Sequence, residues 1–207
     1  MTARNHFRTC WAGGFALLLA ACAHSGGGGA ATRAAAEPND SDSLVEKVAA
    51  ALARGERAEA GPGGAARLAE AGRLLAVAGA RPAEAGEPDL ALHWADLAAR
   101  RGTKADLVWR DRALGPAYRR GRVAPHASVS LDQLFLAGRK AEIALMPVGG
   151  RGRLVLDVTD DKGGLICRRR ASDPPVKCAW LPVYTTRHAI RVRNEGAVPA
   201  DYYLVMK

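Results

Sequence analysis

Long apolar stretches are almost absent from this chain of 207 residues. A helix that crosses the hydrocarbon core of a membrane needs about 20 consecutive apolar residues. The one sizeable run extends over 11 residues, from Trp11 to Ala21, and follows a positive segment that contains Arg4 and Arg8. A short apolar run behind basic residues is typical of a cleaved signal peptide. We therefore expect residues 1–21 to be an export signal rather than a membrane span or a short buried helix.

The end of this run, LAAC at residues 19–22, resembles the bacterial lipobox, in which a leucine and two small residues precede an obligatory cysteine. The resemblance implies that Cys22 is diacylated and that the chain is cut before it. In enterobacterial lipoproteins an aspartate after the cysteine signals retention in the inner membrane. Ala23 stands there instead, which favours an outer-membrane anchor facing the periplasm. Residues 22–43 include four consecutive glycines and are predicted to be a flexible tether.

Sequence motifs of catalysis are also lacking. The chain contains no G-x-S-x-G, H-E-x-x-H, phosphate-binding loop or dinucleotide-binding fingerprint. A serine or cysteine nucleophile needs a base and a group that orients it, and His93 and His188 have no convincing partner in the sequence. We therefore expect a protein that is not an enzyme, with no catalytic residue, no cofactor and no metal.

Cysteine is scarce, with four residues in all. Cys10 would leave with the signal peptide and Cys22 would carry lipid, so Cys167 and Cys178 remain. Disulfides persist in exported proteins, and we expect these two to form one. The alternative, a metal-binding pair, lacks histidines at ligand spacing.

Basic residues are unevenly distributed. Residues 22–119 hold 13 basic and 13 acidic residues, whereas residues 120–207 hold 15 basic and 8 acidic ones. Such an excess favours an acidic partner, here an envelope protein, a glycan or an anionic lipid, although it is also compatible with simple solvation. Export argues against nucleic acid. Arg168, Arg169 and Arg170 lie between the paired cysteines, and we predict a basic binding loop there.

The first folded part, residues 44–118, is predicted to be a small region of helical hairpins. Ser43 and Glu46 form a capping-box pattern before the first apolar stripe. GPGG at residues 61–64 ends that helix, and Gly79 ends the second.

A third helix is predicted between Pro88 and Gly102, and a fourth, short one from Thr103 to near Gly115. Residues 91–102, ALHWADLAARRG, resemble one degenerate unit of the Sel1-like helical repeat. Repeat folds need about three units to bury their faces, so one unit does not imply a binding solenoid.

The last part, residues 125–207, reads as an antiparallel β-sandwich or jelly roll, which makes the fold class α+β with segregated helices and strands. Six to eight short strands with alternating or continuous apolar residues are separated by glycine, proline, asparagine and aspartate. The predicted core positions are Ile143, Leu145, Leu154, Leu156, Val158, Ile190 and Val192.

Four pieces of this part follow one another in a familiar order: FLAG at 135–138, LVLDV at 154–158, AIRVRN at 189–194 and YYL at 202–204. Together they resemble the bacterial pre-peptidase C-terminal domain over about residues 128–207. The resemblance implies a secreted β-sandwich that accompanies exported hydrolases as a non-catalytic module.

Two further features have a structural and a functional interpretation. Asp157, Asp160 and Asp161 are expected to form a solvated hairpin turn, with a calcium site as the alternative. Trp180 is expected to pack in the core beside the disulfide, with sugar stacking as the alternative. Trp94 and Trp109 are expected at helix interfaces.

The sequence thus predicts a lipid-anchored envelope protein that presents a basic β-sandwich to a partner. The competing hypothesis is a structural or assembly lipoprotein that docks on a larger envelope complex through its helical region.

Overall fold

The computed structural model describes residues 43–62, 64–108, 115–149, 153–171 and 174–207. Residues 1–42, which include Cys22 and all of the predicted tether except Ser43, lie outside these residues, as does Trp109. Within the described part of the chain, no helix has both the length and the apolar character needed to cross a membrane. Three helices precede most of the strands: α1 (Leu44–Ala60), α2 (Ala65–Ala78) and α3 (Leu90–Arg100).

The described residues also form nine strands, which follow or interleave with these helices. They are β1 (Arg81–Pro82), β2 (Ala117–Val123), β3 (Ser128–Phe135), β4 (Ala141–Val148), β5 (Leu154–Thr159), β6 (Leu165–Arg170), β7 (Val176–Trp180), β8 (Thr186–Asn194) and β9 (Ala200–Met206). They form a five-stranded sheet with the order β1-β2-β9-β4-β7 and a four-stranded sheet with the order β3-β8-β5-β6. All pairings are antiparallel except β1 with β2. The α+β class and the sandwich are confirmed.

Two hydrophobic cores divide the molecule into three layers. The predicted core residues, including Ile143, Leu156 and Ile190, lie in the core between the two sheets. The second core lies between the helices and the other side of the five-stranded sheet, where Ala144 and Val205 join Trp94. The five-stranded sheet is therefore covered on both sides, which explains the continuous apolar runs of β4 and β9.

Helices α2 and α3 end at or next to a predicted glycine. Gly79 closes α2 in the left-handed conformation, at φ 64°, as expected. At α3, Asp89 is the N-cap and accepts a hydrogen bond from the Ala91 amide. Gly102 follows the C-cap at φ 87°, and the Thr103 amide bonds back to the Ala98 carbonyl at 2.8 Å.

Two expected helical features are wrong. Ser43 makes no side-chain capping bond; its hydroxyl instead donates to Glu142 Oε1 at 3.4 Å, because α1 begins against β4. The predicted fourth helix does not form over residues 103–108, since the closing turn of α3 sends the chain away from the helix axis. The rest of that predicted helix, residues 109–114, lies outside the described residues.

Asn194, the asparagine of the AIRVRN piece, holds one end of the sandwich together. Its buried amide nitrogen donates to the carbonyls of Val123, Ala124 and Val198, at 3.3, 3.2 and 2.7 Å. Its oxygen accepts from the Gly196 amide at 2.9 Å. The side chain thus joins the β2–β3 and β8–β9 connections, which gives this motif residue a structural role. The described residues, from Ser43 to Lys207, belong to one compact unit.

Candidate functional site

The predicted disulfide is present and closes one edge of the sandwich. Cys167 on β6 and Cys178 on β7 are bonded, with their Cα atoms 5.9 Å apart. Because β6 belongs to the four-stranded sheet and β7 to the five-stranded sheet, the bond joins the two layers. The cysteines are thereby used structurally.

The three consecutive arginines do not form a loop, and this expectation is wrong. They occupy the second half of strand β6, paired with Val155 to Asp157 of β5. Alternation places Arg168 and Arg170 on the outer side of the four-stranded sheet, level with Asp157 and Val155, and Arg169 on the other side. The backbone ladder with β5 makes this segment a strand, and the contact of Arg168 with Asp157 lies alongside that ladder.

Asp157 is the centre of an arginine-rich outer face of this sheet. We define the arginine face as Asp157 with Arg168, Arg170, Arg191 and Arg193. Arg168 Nε donates to Oδ1 of Asp157 at 2.5 Å, and Arg193 Nε donates to Oδ2 at 2.9 Å. Arg191 lies directly across from Asp157 in the β5–β8 ladder and donates to Ser130 Oγ at 3.2 Å.

The arginines also determine the charge state of this carboxyl group. Burial alone would raise the pKa of Asp157, but the hydrogen bonds and positive charges of Arg168 and Arg193 outweigh burial, and the pKa is lowered. Asp157 is therefore a carboxylate that is only 6% exposed. It orders the guanidinium groups of Arg168 and Arg193. Arg193 also donates from Nη1 to Glu195 Oε1 at 3.3 Å.

The three aspartates near the β5–β6 hairpin have different hydrogen-bond partners. Asp157 binds arginines, and Asp160 Oδ1 accepts the amides of Lys162 and Gly164 at 3.0 and 2.6 Å, which closes the turn. Asp161 Oδ2 accepts from the Thr186 hydroxyl at 3.1 Å. Among the described residues, no group of three or more His, Cys, Asp or Glu side chains is placed to hold a metal ion.

The two histidines have partners, contrary to expectation. His93 Nε2 lies 2.9 Å from Glu59 Oε1, and the neighbouring Trp94 Nε1 donates to Glu59 Oε2 at 2.9 Å. Burial would raise the pKa of Glu59, but these hydrogen bonds and the charges of His93 and Arg101 outweigh burial and lower it. The arrangement ties α3 to α1, with Trp94 at the predicted helix interface.

His188 is buried between the sheets with two aromatic rings. The indole N–H of Trp180 can only donate, so His188 Nε2 accepts it at 3.3 Å. Nδ1 then carries the proton and donates to the Thr186 carbonyl at 3.3 Å. Phe135 packs edge-on against both rings, with centroids 4.8 Å from Trp180 and 5.5 Å from His188. Trp180 is half-buried in the predicted core, and its ring packs against Phe135 and His188.

Above this aromatic group the sandwich ends in a half-open cleft of about 480 Å³. Leu134, Phe135 and Leu136 form part of its apolar wall. Its basic lining residues are Arg81, Arg139, Lys140 and Lys207, and none of the described residues that line it is acidic. The sequence did not single out this cleft, because its residues come from β1, the β3–β4 turn and the end of β9, which only the sheet topology brings together.

Comparisons with known proteins give fold-level similarities. No family model and no curated protein matches the chain. Among solved structures, it is similar to a mitogen from Yersinia pseudotuberculosis at 16% identity, covering 45% of this chain and 85% of the other, with a TM-score of 0.39.

It is also similar to the pre-peptidase C-terminal domain of a collagenase from Bacillus anthracis. The identity is 12%, the coverage 44% of this chain and 88% of that domain, and the TM-score 0.39. PliG of Aeromonas hydrophila, a periplasmic inhibitor of g-type lysozyme, matches at 17% identity over 44% of this chain and 86% of PliG, with a TM-score of 0.33.

Proposed function

We propose that this protein is an exported lipoprotein, anchored through Cys22, whose β-sandwich is a non-catalytic binding module for an acidic partner in the cell envelope. In this proposal the anchor lies in the outer membrane and the folded part faces the periplasm. The lipobox-like residues 19–22, the tether and the Cys167–Cys178 disulfide support export. The order of motifs in residues 128–207 supports a module related to the pre-peptidase C-terminal domain.

The arginine face is the observation that carries the binding role. Five strongly polar side chains share one outer sheet face, and the single carboxylate among them is buried beneath the guanidinium groups. Arg170 is 73% exposed at its side chain and pairs with Glu195 at 3.3 Å, while Arg191 has no carboxylate partner among the described residues. Guanidinium groups with free donors bind phosphate, sulfate and carboxylate groups in a bidentate manner.

Binding to acidic probes tests this proposal directly. The chain from residue 22 onward, carrying Cys22→Ser, would be titrated with heparin and with phosphatidylglycerol vesicles at several salt concentrations. The double variant Arg170→Gln/Arg191→Gln leaves Asp157 with both of its partners and is expected to bind at least one probe about tenfold more weakly. Arg54→Gln/Arg73→Gln, which removes two exposed arginines from the helices, is the matched control. Equal affinity of the two double variants for both probes would refute the role of the arginine face.

The anchor needs a separate experiment. Metabolic labelling with palmitate is expected to mark the full chain and not its Cys22→Ser variant. A variant that is still labelled would show that Cys22 is not the attachment site.

The second candidate function is docking on an envelope complex through the helical region, which contains the Sel1-like segment. A shallow cleft of about 260 Å³ between α1 and α2 favours it, with Leu44, Leu74 and Val77 among its lining residues. Because the helices share a core with the five-stranded sheet, separated halves would expose that core, and point variants are the better test. Loss of a co-purifying partner from Leu74→Ser/Val77→Ser, but not from Arg170→Gln/Arg191→Gln, would select this function.

A further inference from the structure

Large apolar side chains project from two adjacent loops at one end of the sandwich. In the β7–β8 loop, Leu181 is 64% exposed and Val183 and Tyr184 are each 77% exposed; Leu136 of the β3–β4 turn is 45% exposed. We call these four residues the apolar tip. Single exposed apolar residues are ordinary, but four on neighbouring loops mark an interaction site.

The two loops hold each other in place. The Gly138 amide donates to the Pro182 carbonyl at 3.0 Å, and the Ala137 amide donates to Thr185 Oγ1 at 3.0 Å. Directly beneath them, Phe135 and Trp180 pack edge-on with centroids 4.8 Å apart. The exposure of the apolar tip is therefore fixed by the ends of four strands and is not the property of a loosely attached segment.

Basic residues surround the apolar tip. Arg139 and Lys140 belong to the same turn as Leu136, and Arg187, the second residue of β8, lies across from Leu134. Arg139 and Arg187 are exposed and have no ion-pair partner among the described residues. The basic cleft of about 480 Å³ opens at this same end.

Three carboxylates of the described residues near this end, those of Glu142, Asp160 and Asp161, are already engaged. Glu142 is 8% exposed and is bound by Lys140 at 3.1 Å and by the Ser43 hydroxyl. Asp160 closes the hairpin turn, and Asp161 accepts from Thr186. This end of the sandwich, which we call the loop end, thus presents the apolar tip at its centre and positive charge around it.

We propose that this end of the sandwich docks on an anionic lipid surface. Leu181, Val183 and Tyr184 enter the boundary between head groups and acyl chains, where apolar and amphipathic aromatic side chains are favoured. Arg139 and Arg187 meet lipid phosphates, and the basic cleft accepts one head-group phosphate. The inference rests on the proposed function, since it names the acidic partner of the sandwich and adds a second contact surface.

Charge and shape favour lipid over an acidic protein. Each basic residue near an anionic bilayer strengthens binding by about fivefold, and protruding apolar side chains add binding that salt does not weaken. A protein partner would need a matching pocket for each projecting residue, whereas a bilayer accommodates them without one.

Vesicle sedimentation tests the inference on the chain from residue 22 onward with Cys22→Ser, which removes the apolar run of residues 11–21. Vesicles would contain phosphatidylcholine with or without phosphatidylglycerol. We expect binding only with phosphatidylglycerol, about tenfold weaker binding for Val183→Ser/Tyr184→Ser, and about 25-fold weaker binding for Arg139→Gln/Arg187→Gln, at about fivefold per arginine. Leu74→Ser/Leu92→Ser and Arg54→Gln/Arg73→Gln are the matched controls on the helices, and urea unfolding checks that every variant is folded.

The outcomes separate this inference from the proposed function. If Arg170→Gln/Arg191→Gln weakens vesicle binding while Val183→Ser/Tyr184→Ser and Arg139→Gln/Arg187→Gln bind normally, the sandwich binds an acidic partner through the arginine face. The inference that the loop end docks on lipid is then refuted. If the loop-end variants lose heparin binding and the unsubstituted chain ignores vesicles, the end binds an acidic macromolecule and the lipid inference is wrong. If the unsubstituted chain binds neither probe, the proposed function fails as well.

Discussion

The indole ring of Trp94 lies flat against the backbone of α1 at Gly55, so closely that a Cβ atom on Gly55 would overlap the ring. Trp94 is fully buried, and its N–H reaches Glu59 one turn further along α1. A glycine in the middle of a helix costs stability relative to alanine. Here the missing side chain makes room for the largest residue of the helical core.

Gly55→Ala is therefore expected to destabilise the protein although alanine is the better helix former. The gain in helix propensity is about 1 kcal/mol, and overpacking costs about 1–3 kcal/mol in addition to disturbing the bond to Glu59. We expect a net loss of stability in urea unfolding and a change in tryptophan fluorescence. Arg54→Ala, on the exposed side of the same helix, is the control and should change stability little. A Gly55→Ala variant more stable than the control would contradict the packing argument.

Gly55 also illustrates what the sequence could not provide. The GPGG segment at residues 61–64 and Gly79 predicted helix ends correctly because the signal for a helix end is local. Gly55 gives no such signal, since the reason for it lies 39 residues away in Trp94. The expected fourth helix failed for the related reason that a local pattern was overridden by the turn that closes α3.

Among the strands, too, some were predicted from a local pattern and others were missed. Alternation in β5 and β8 predicted which residues face the core. Strand β2, with the sequence AYRRGRV, was missed because its apolar residues are few and its arginines find their partners elsewhere; Arg120, for example, binds Glu56 of α1 at 2.6 Å. Arg168 and Arg170 were singled out from the sequence, but Arg191 and Arg193 of the arginine face and the loop end were not, because both depend on the order of strands across a sheet.

Removing the disulfide should loosen the open edge of the sandwich. Cys167 and Cys178 are separated by 11 positions, and closing so short a loop stabilises by about 3 kcal/mol in the chain-entropy model. Cys167→Ser/Cys178→Ser is expected to lower the free energy of unfolding by about that amount. Reducing agent should lower the stability of the unsubstituted chain to a similar value and leave the variant unchanged. If reductant destabilises both equally, the effect has another source.

Asp157 should make stability depend on acid pH. Its pKa is lower in the folded protein than the value of about 3.9 typical of unfolded chains. The stabilisation is thus complete above the unfolded pKa and is lost as pH falls through the folded pKa. Asp157→Asn is expected to cost about 1–2 kcal/mol at neutral pH, because both arginine partners are partly exposed. Between pH 5 and 2 the stability of the Asp157→Asn variant should also fall less than that of the unsubstituted chain. Asp132→Asn, an exposed residue of β3 on the same sheet, is the control.

Tyr202 and Tyr203 should make stability depend on alkaline pH, in the opposite sense. Burial raises the pKa of both phenols, and for Tyr203 the hydrogen bond with Glu56 raises it further. A raised folded pKa means that the stabilisation is complete below the unfolded pKa of about 10 and is lost as pH rises above it.

Absorbance at about 295 nm, where tyrosinate absorbs, measures this effect. In the native protein we expect Tyr202 and Tyr203 to ionise only as the chain unfolds, whereas in urea both should ionise near pH 10. Tyr203→Phe removes one of the delayed ionisations and also the bond between β9 and α1, at a cost of about 1 kcal/mol. Tyr184→Phe, at the exposed tip, leaves both delayed ionisations in place. A native titration curve that coincides with the curve in urea would show that the contact of Tyr203 with Glu56 is open to solvent, and that the second core does not close over the five-stranded sheet.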